Sequence, residues 1–229
     1  ARASRGAGIW KSTNGGTTFS QISSTSSFYY INDLVVRNEN NTSVVYAAVA
    51  GRYYQGQWHG TANEGLQRSV NGGTSWTQVL PNVSGAPEKP TDLDIASDNE
   101  LWVGVDANSY GDGGGKVYAS NSGTSFTLKH THTNAGRVSL ACAPSNSNYV
   151  YVAFEYNQQL DAIKRTTNDG SSWALRSEPN DADNGIPATD FTRGQAWYNL
   201  VLDVDPNNMN TIKIGRAPRL NSSHVAISY

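Results

Sequence analysis

The sequence predicts an all-β fold, a β-propeller of four-stranded antiparallel blades, on three observations. A twelve-residue phrase recurs four times: GIWKSTNGGTTF from Gly8, GLQRSVNGGTSW from Gly65, GKVYASNSGTSF from Gly115 and AIKRTTNDGSSW from Ala162. Aligned on the fifth position (Ser12, Ser69, Ala119, Thr166), the copies stand 57, 50 and 47 residues apart, a spacing that fits one four-stranded sheet with its turns. No segment has convincing helical periodicity, whereas short alternating or apolar runs bounded by polar turns are frequent.

Each copy reads as a strand, a tight turn and the start of a second strand. Asn14, Asn71, Asn121 and Asn168 are expected to cap the turns by bonding backbone N–H groups two residues on. Gly16, Gly73, Gly123 and Gly170 supply a left-handed backbone without a steric penalty. The closing aromatics Phe19, Trp76, Phe126 and Trp173 are expected to be wedged, largely buried, against a neighbouring strand or sheet. Between the copies lie pairs of apolar runs: 31–36 with 44–50, 93–96 with 101–105, 138–143 with 149–154, and 200–204 with 211–215. Naming each pair strands A and B, the phrase supplies C and D. The tail from Arg216 reads as a fifth C and D pair whose phrase has decayed.

The phrase resembles the Asp-box, or bacterial neuraminidase repeat, S-x-D-x-G-x-T-W, and the resemblance covers most of the chain. Proteins with such boxes include sialidases, xyloglucanase-type glycosidases, sortilin-type receptors and a photosystem assembly factor, so the resemblance implies a propeller without implying an activity. The chain departs from the pattern with Asn at all four positions where Asp is usual; neutral amides still cap a turn, and the boxes are read as structural rather than metal-binding. Since Asp-box propellers commonly have six or more blades, the resemblance also implies that residues 1–229 form part of a larger propeller, completed by further blades of the same polypeptide or by an associated subunit. In the alternative, the last A and B strands join the first C and D in a closed four-bladed ring.

Charged residues make up 16% of the chain against the roughly 25% of an average soluble domain, and Ser, Thr, Asn, Gly and Tyr take their place. A net charge of −2 provides no electrostatic reason to expect nucleic acid or an anionic membrane as partner. No apolar run is long enough for a transmembrane helix. Cys142 is the single cysteine and alternates with Val138 and Leu140 along a strand, which predicts a buried, inert thiol. Composition and resemblance together imply an extracytoplasmic location: secreted, periplasmic or at the cell surface.

Antiparallel connectivity puts the phrase turns and A-to-B turns on one face, and the longer B-to-C and D-to-A loops on the other. Long loops on a rigid scaffold are where binding residues usually reside. The ligand-binding candidates there are Trp58, His59, Arg137, Tyr156, Arg193, Trp197 and Tyr198, with Arg137 a fork for an anionic group. Asp33, Asp92, Asp94 and Asp190 are the carboxyl groups from which a glycosidase pair could be drawn; the competing reading makes them strand-end caps. No three arginines converge as a sialidase requires, and no Arg-Ile-Pro motif occurs. His130 and His132 lack a third zinc ligand. Asp106, Asn108 and Asp112 are calcium candidates in a loop without the twelve-residue ligand spacing, and no other cofactor is expected. These readings converge on an extracytoplasmic propeller that binds a glycan, peptide or partner protein through the loop face without catalysis. The alternative is a glycoside hydrolase, xyloglucanase-like or sialidase-like, with its carboxylate pair partly outside this chain.

Overall fold

The computed structural model describes residues 6–54, 56–60, 62–180 and 190–216. In chain order, β1 (Trp10–Lys11) and β2 (Ser20–Gln21) form a hairpin. The first full sheet takes β3 (Tyr30–Glu39) and β4 (Thr42–Ala50) and, after a small hairpin of β5 (Arg52–Tyr54) and β6 (Gln57–His59), β7 (Gly65–Ser69) and β8 (Thr77–Gln78). A second small hairpin, β9 (Asn82–Val83) and β10 (Ala86–Pro87), leads to a sheet of β11 (Lys89–Ile95), β12 (Leu101–Ala107), β13 (Gly113–Ser120) and β14 (Thr127–Thr131). The third sheet holds β15 (Val138–Cys142), β16 (Val150–Tyr156), β17 (Gln159–Thr166) and β18 (Ala174–Arg176). A one-turn helix, α1 (Ala196–Asn199), precedes the paired β19 (Leu200–Val204) and β20 (Ile212–Arg216). Every ladder is antiparallel between sequence neighbours in the order A, B, C, D. Strand A is innermost: β11 runs beside both β3 and β15, and β19 beside β15.

The B strands read VVYAAVA, LWVGV and VYVAF because both of their faces are buried between sheets, where a half-exposed strand would alternate. Along β12, Leu101, Val103 and Val105 face a core shared with Val44, Tyr46 and Leu66 of the first sheet. Trp102 faces the opposite core, shared with Val138, Leu140, Val152 and Phe154 of the third. The hydrophobic clusters therefore lie at the seams. The second and third sheets approach closely at Gly104, where a Cβ would stand 3.0 Å from the Val138 carbonyl oxygen and 2.8 Å from its Cγ1.

The phrase turns share one geometry, with a correction to the expected donors. The glycine N–H bonds the hydroxyl before the turn and not the asparagine: Gly16 to Ser12 Oγ, Gly73 to Ser69 Oγ and Gly170 to Thr166 Oγ1, each at 2.9 Å. The asparagine oxygen accepts the N–H four residues on, Thr18, Ser75 and Ser172, while its amide donates to that residue's hydroxyl. An aspartate could not make this last bond. All four turn glycines have φ between 73° and 94°.

The third copy is shifted by one residue. Ser120, not Ala119, bonds the Gly123 N–H, and Ser122 accepts the Ser125 N–H in the asparagine's place. Asn121 therefore does not cap its turn; its amide donates to Glu100 Oε1. Trp76, Phe126 and Trp173 are half-buried, packed against cores that include the preceding sheet or hairpin. Phe19 is 61% exposed, contrary to expectation, because among the described residues no sheet precedes its hairpin. β1 has one ladder partner, β2, and β20 one, β19; the tail from residue 217 lies outside the described residues.

Two stability outcomes follow from these contacts. Gly104→Ala should cost about 1–3 kcal/mol in urea unfolding, since the added methyl meets backbone across a packed seam. Asn71→Ala and Ser122→Ala should each cost about 1 kcal/mol in the same assay, because they hold equivalent turn bonds despite different sequence positions.

Candidate functional site

Three of the sequence-predicted carboxyls are committed to holding sheets together. Asp33 on β3 accepts the Leu93 N–H of β11 at 2.8 Å; Asp92 and Asp94 on β11 accept the Leu140 and Cys142 N–H groups of β15 at 2.9 and 2.7 Å. Burial pushes Asp92 up to about 7, opposed by the Leu140 bond and reinforced by the charge of Asp33, and burial raises Asp94 as well. Asp190 is buried and caps its own turn, accepting the N–H groups of Thr192 and Gly194.

On the loop face, charged residues gather at the entry to the inner strands. Arg137, just before β15, feels Asp92, Asp106, Asp33 and Arg52; burial lowers its pKa, and its Nε is buried without a hydrogen-bond partner. Glu155 at the end of β16 accepts the N–H groups of Arg137 and Gln158. Arg52 reaches Asn32 Oδ1 at 3.1 Å, and Lys89 pairs with Asp106 at 3.2 Å. Arg137 is thus embedded among carboxylates, which removes much of its pull on an external anion.

The remaining candidates divide between sheets. Trp58 and His59 lie on the β5–β6 hairpin of the first sheet, and the side chain of Trp58 lies outside what is described. Tyr156, Arg193, Trp197 and Tyr198 belong to one unit on the third sheet. Tyr156 ends β16 at 49% exposure and opens a two-residue turn whose Asn157 and Gln158 both have positive φ. The Gln158 carbonyl accepts the Ala196 N–H at 2.9 Å, clamping α1 against this turn. Ala196 and Phe191 sink into the core beneath, with Ala153, Leu160 and Leu200. Trp197 and Tyr198 are left half-buried, their rings T-shaped at 4.3 Å. On the turn itself Tyr156 and the side chains of Asn157 and Gln158 are exposed.

The metal candidates do not converge: among the described residues no group of three His, Cys, Asp or Glu side chains could hold an ion. Asn108 Oδ1 accepts the Tyr110 and Asp112 N–H groups, and Asp106 is paired with Lys89. His130 and His132 both pack on Phe154; burial lowers His130 to about 4, and His132 Nε2 meets Asp161 Oδ2 at 2.6 Å. Two features escaped the sequence reading. Glu178 is pushed up by burial and by the charges of Asp161 and Asp190. Glu88, fully buried, accepts from Gly114 N–H, Lys116 and Tyr118, anchoring the loop before β11 to strand C. Neither lies in a motif, and only their tertiary neighbours mark them.

A scan against protein-family models finds no match, and a search of the curated proteins finds none. Among solved structures, the GH74 enzyme of Niastella koreensis is similar at 24% identity and a TM-score of 0.66, over 90% of this chain and 32% of that one. An ancestral GH74 enzyme is similar at 18% identity and a TM-score of 0.57, over 88% and 24%. The likeness is one of fold, and the chain spans about a third or less of the length of these enzymes.

The commitment of Asp33 to the seam has a measurable consequence. Asp33→Ala should lower unfolding stability by about 1–3 kcal/mol by leaving the Leu93 N–H unsatisfied, and Asp33→Asn, which keeps an oxygen there, should cost less. Equal losses in the two variants in chemical denaturation would contradict the stapling role.

Proposed function

We propose that this chain is part of a glycan-binding propeller, acting outside the cytoplasm, and that it holds sugar on the loop face without catalysis by its own carboxyls. The observation that carries the reading is the third-sheet unit of exposed Tyr156 with half-buried Trp197 and Tyr198, fixed by the Gln158 to Ala196 bond and sharing its turn with the exposed amides of Asn157 and Gln158. Sugar rings offer C–H faces to aromatics and hydroxyls to amides, so such a surface suits a neutral glycan better than an anion. Asp33, Asp92, Asp94 and Asp190 being occupied by backbone N–H groups supports the non-catalytic half.

The rival reading, a glycoside hydrolase, draws on the likeness to GH74 enzymes and needs a carboxyl pair at about 5–9.5 Å. On that reading the acid pair is assembled partly from residues outside this chain. The two readings part in one experiment: affinity electrophoresis of the 229-residue chain in gels with neutral polysaccharides, xyloglucan among them, alongside reducing-end assays and a fluorogenic sialoside. Retardation without release of reducing ends or fluorophore is expected. Tyr156→Ala and Trp197→Ala should each weaken retention about tenfold, the equivalent of about 1.4 kcal/mol of stacking. Turnover of any of these substrates, or unchanged retention in both variants, would overturn the reading.

A further inference from the structure

An asparagine followed by glycine is chemically labile, because a glycine nitrogen with no Cβ beside it can attack the asparagine side chain unhindered. The pair occurs at Asn14, Asn71 and Asn184, the last outside the described residues. Asn14 and Asn71 open the same four residues, Asn-Gly-Gly-Thr, each follows a β-branched residue (Thr13 or Val70), and both are exposed at phrase turns. Any difference between them in the folded chain is therefore structural. In the third and fourth phrases Ser122 and Asp169 follow the asparagine, and their side chains obstruct the attack.

The two turns share their local bonds. Asn14 Oδ1 accepts the Thr18 N–H at 3.0 Å and its amide donates to Thr18 Oγ1 at 2.8 Å; Asn71 does the same with Ser75 at 3.0 and 2.9 Å. What differs is how each turn is held from outside. Gly73 is buried, its carbonyl accepts from the Ser24 hydroxyl and, at 3.1 Å, from Trp76 Nε1, and a Cβ there would stand 2.8 Å from Ile22 Cδ1. Trp76 in turn lies T-shaped on Phe28 at 5.4 Å, and β7 runs between β4 and β8. Around Asn14 these restraints are missing. Among the described residues the side-chain and turn hydrogen bonds of residues 12–18 all close within that stretch. Gly16 is exposed, a Cβ there would meet only the Phe19 ring at 4.0 Å, and β1 and β2 pair through two residues each.

We propose that Asn14 is a deamidation site of the folded chain, and that the contacts from Ser24, Ile22 and Trp76 guard the locally identical Asn71. In the reaction the Gly15 backbone nitrogen loses its proton and bonds to Asn14 Cγ, closing a five-membered succinimide, while the Cγ–Nδ2 bond breaks and ammonia leaves with the proton. Water then opens the ring. Cleavage of the new N–Cγ bond yields aspartate; cleavage of the original peptide C–N bond yields isoaspartate. To cyclise, the carboxamide must first leave both bonds to Thr18, so the turn slows the reaction without preventing it. The aspartate product suits the same turn, since one carboxylate oxygen accepts the Thr18 N–H and the Thr18 hydroxyl reverses to donate to the other. With Ser12, Gly16 and Thr18 it completes the S-x-D-x-G-x-T pattern and adds one negative charge to the phrase-turn face. Isoaspartate, which runs the backbone through Cβ and Cγ, loses that cap.

The test is to incubate the 229-residue chain in mildly alkaline buffer and to follow the conversion of amide to carboxylate at each site by peptide mass spectrometry. In urea the two sites should convert at about the same rate. In the native chain both should slow, Asn71 at least about tenfold more than Asn14, because opening its turn also breaks the two bonds to the Gly73 carbonyl. Ser24→Ala, which removes one of those bonds from an exposed position, should speed conversion at Asn71 and leave Asn14 unchanged. Asn14→Asn-preserving chemistry is supplied by Gly15→Ala, which should slow conversion at position 14 in urea and in the native chain alike. Equal native rates at the two sites, faster conversion at Asn71, or an Asn14 that stays intact while the urea-unfolded chain converts would each overturn the proposal. A Ser24→Ala chain with an unchanged rate at Asn71 would overturn the guard.

Discussion

Sheets stacked face to face around an axis face one difficulty at their innermost edges. β3, β11, β15 and β19 run beside one another with no backbone ladder between them, so their buried N–H and C=O groups would lie unpaired. Each such orphan costs about 1–3 kcal/mol, and a run of them would open the seam. Side chains close the gap: Asp33, Asp92 and Asp94 accept, Asn32 and Ser139 donate, and Thr91 does both at Val138. The polar residues at the inner strands are a substitute for missing sheet hydrogen bonds.

That constraint gives the inner aspartates, which resemble a catalytic constellation in the linear sequence, a structural task. A carboxylate that accepts a backbone N–H of the next sheet is positioned by that sheet. On the proposed reading recognition falls to the loops, where α1 and the Tyr156 turn are held by the core beneath them. The same logic governs the opposite face. Gly170 sits where a Cβ would meet Trp102 and Lys129 of the preceding sheet, and Gly123 where it would meet Tyr46. The turn glycines are therefore seam contacts as well as conformational necessities.

The third phrase shows how much irregularity this arrangement tolerates. What the turn requires is a hydroxyl on strand C in register with the aliphatic residue opposite, Leu101 here as Val45 and Val150 in the other sheets, and a glycine beyond it, so Ser120 can replace the expected position and Ser122 the expected amide. Asn121, released from the turn, joins Glu100 and the Arg37 contact. A side chain freed from a local role is thereby drawn into a seam.

The sequence alone determined the repeat unit, the strand order within it and the buried state of Cys142, since periodicity and apolar patterning are local properties of a chain. It also brought forward Tyr156, Arg193, Trp197 and Tyr198, which the fold joins in one unit. It misjudged Phe19 and Asn121, and could not separate stapling aspartates from catalytic ones, because Asp33 and Leu93, or Asp92 and Leu140, are dozens of residues apart and meet only when sheets stack. Which polar group bonds which, and therefore which remains for a ligand, was decided by the seams, whose contacts are all long-range.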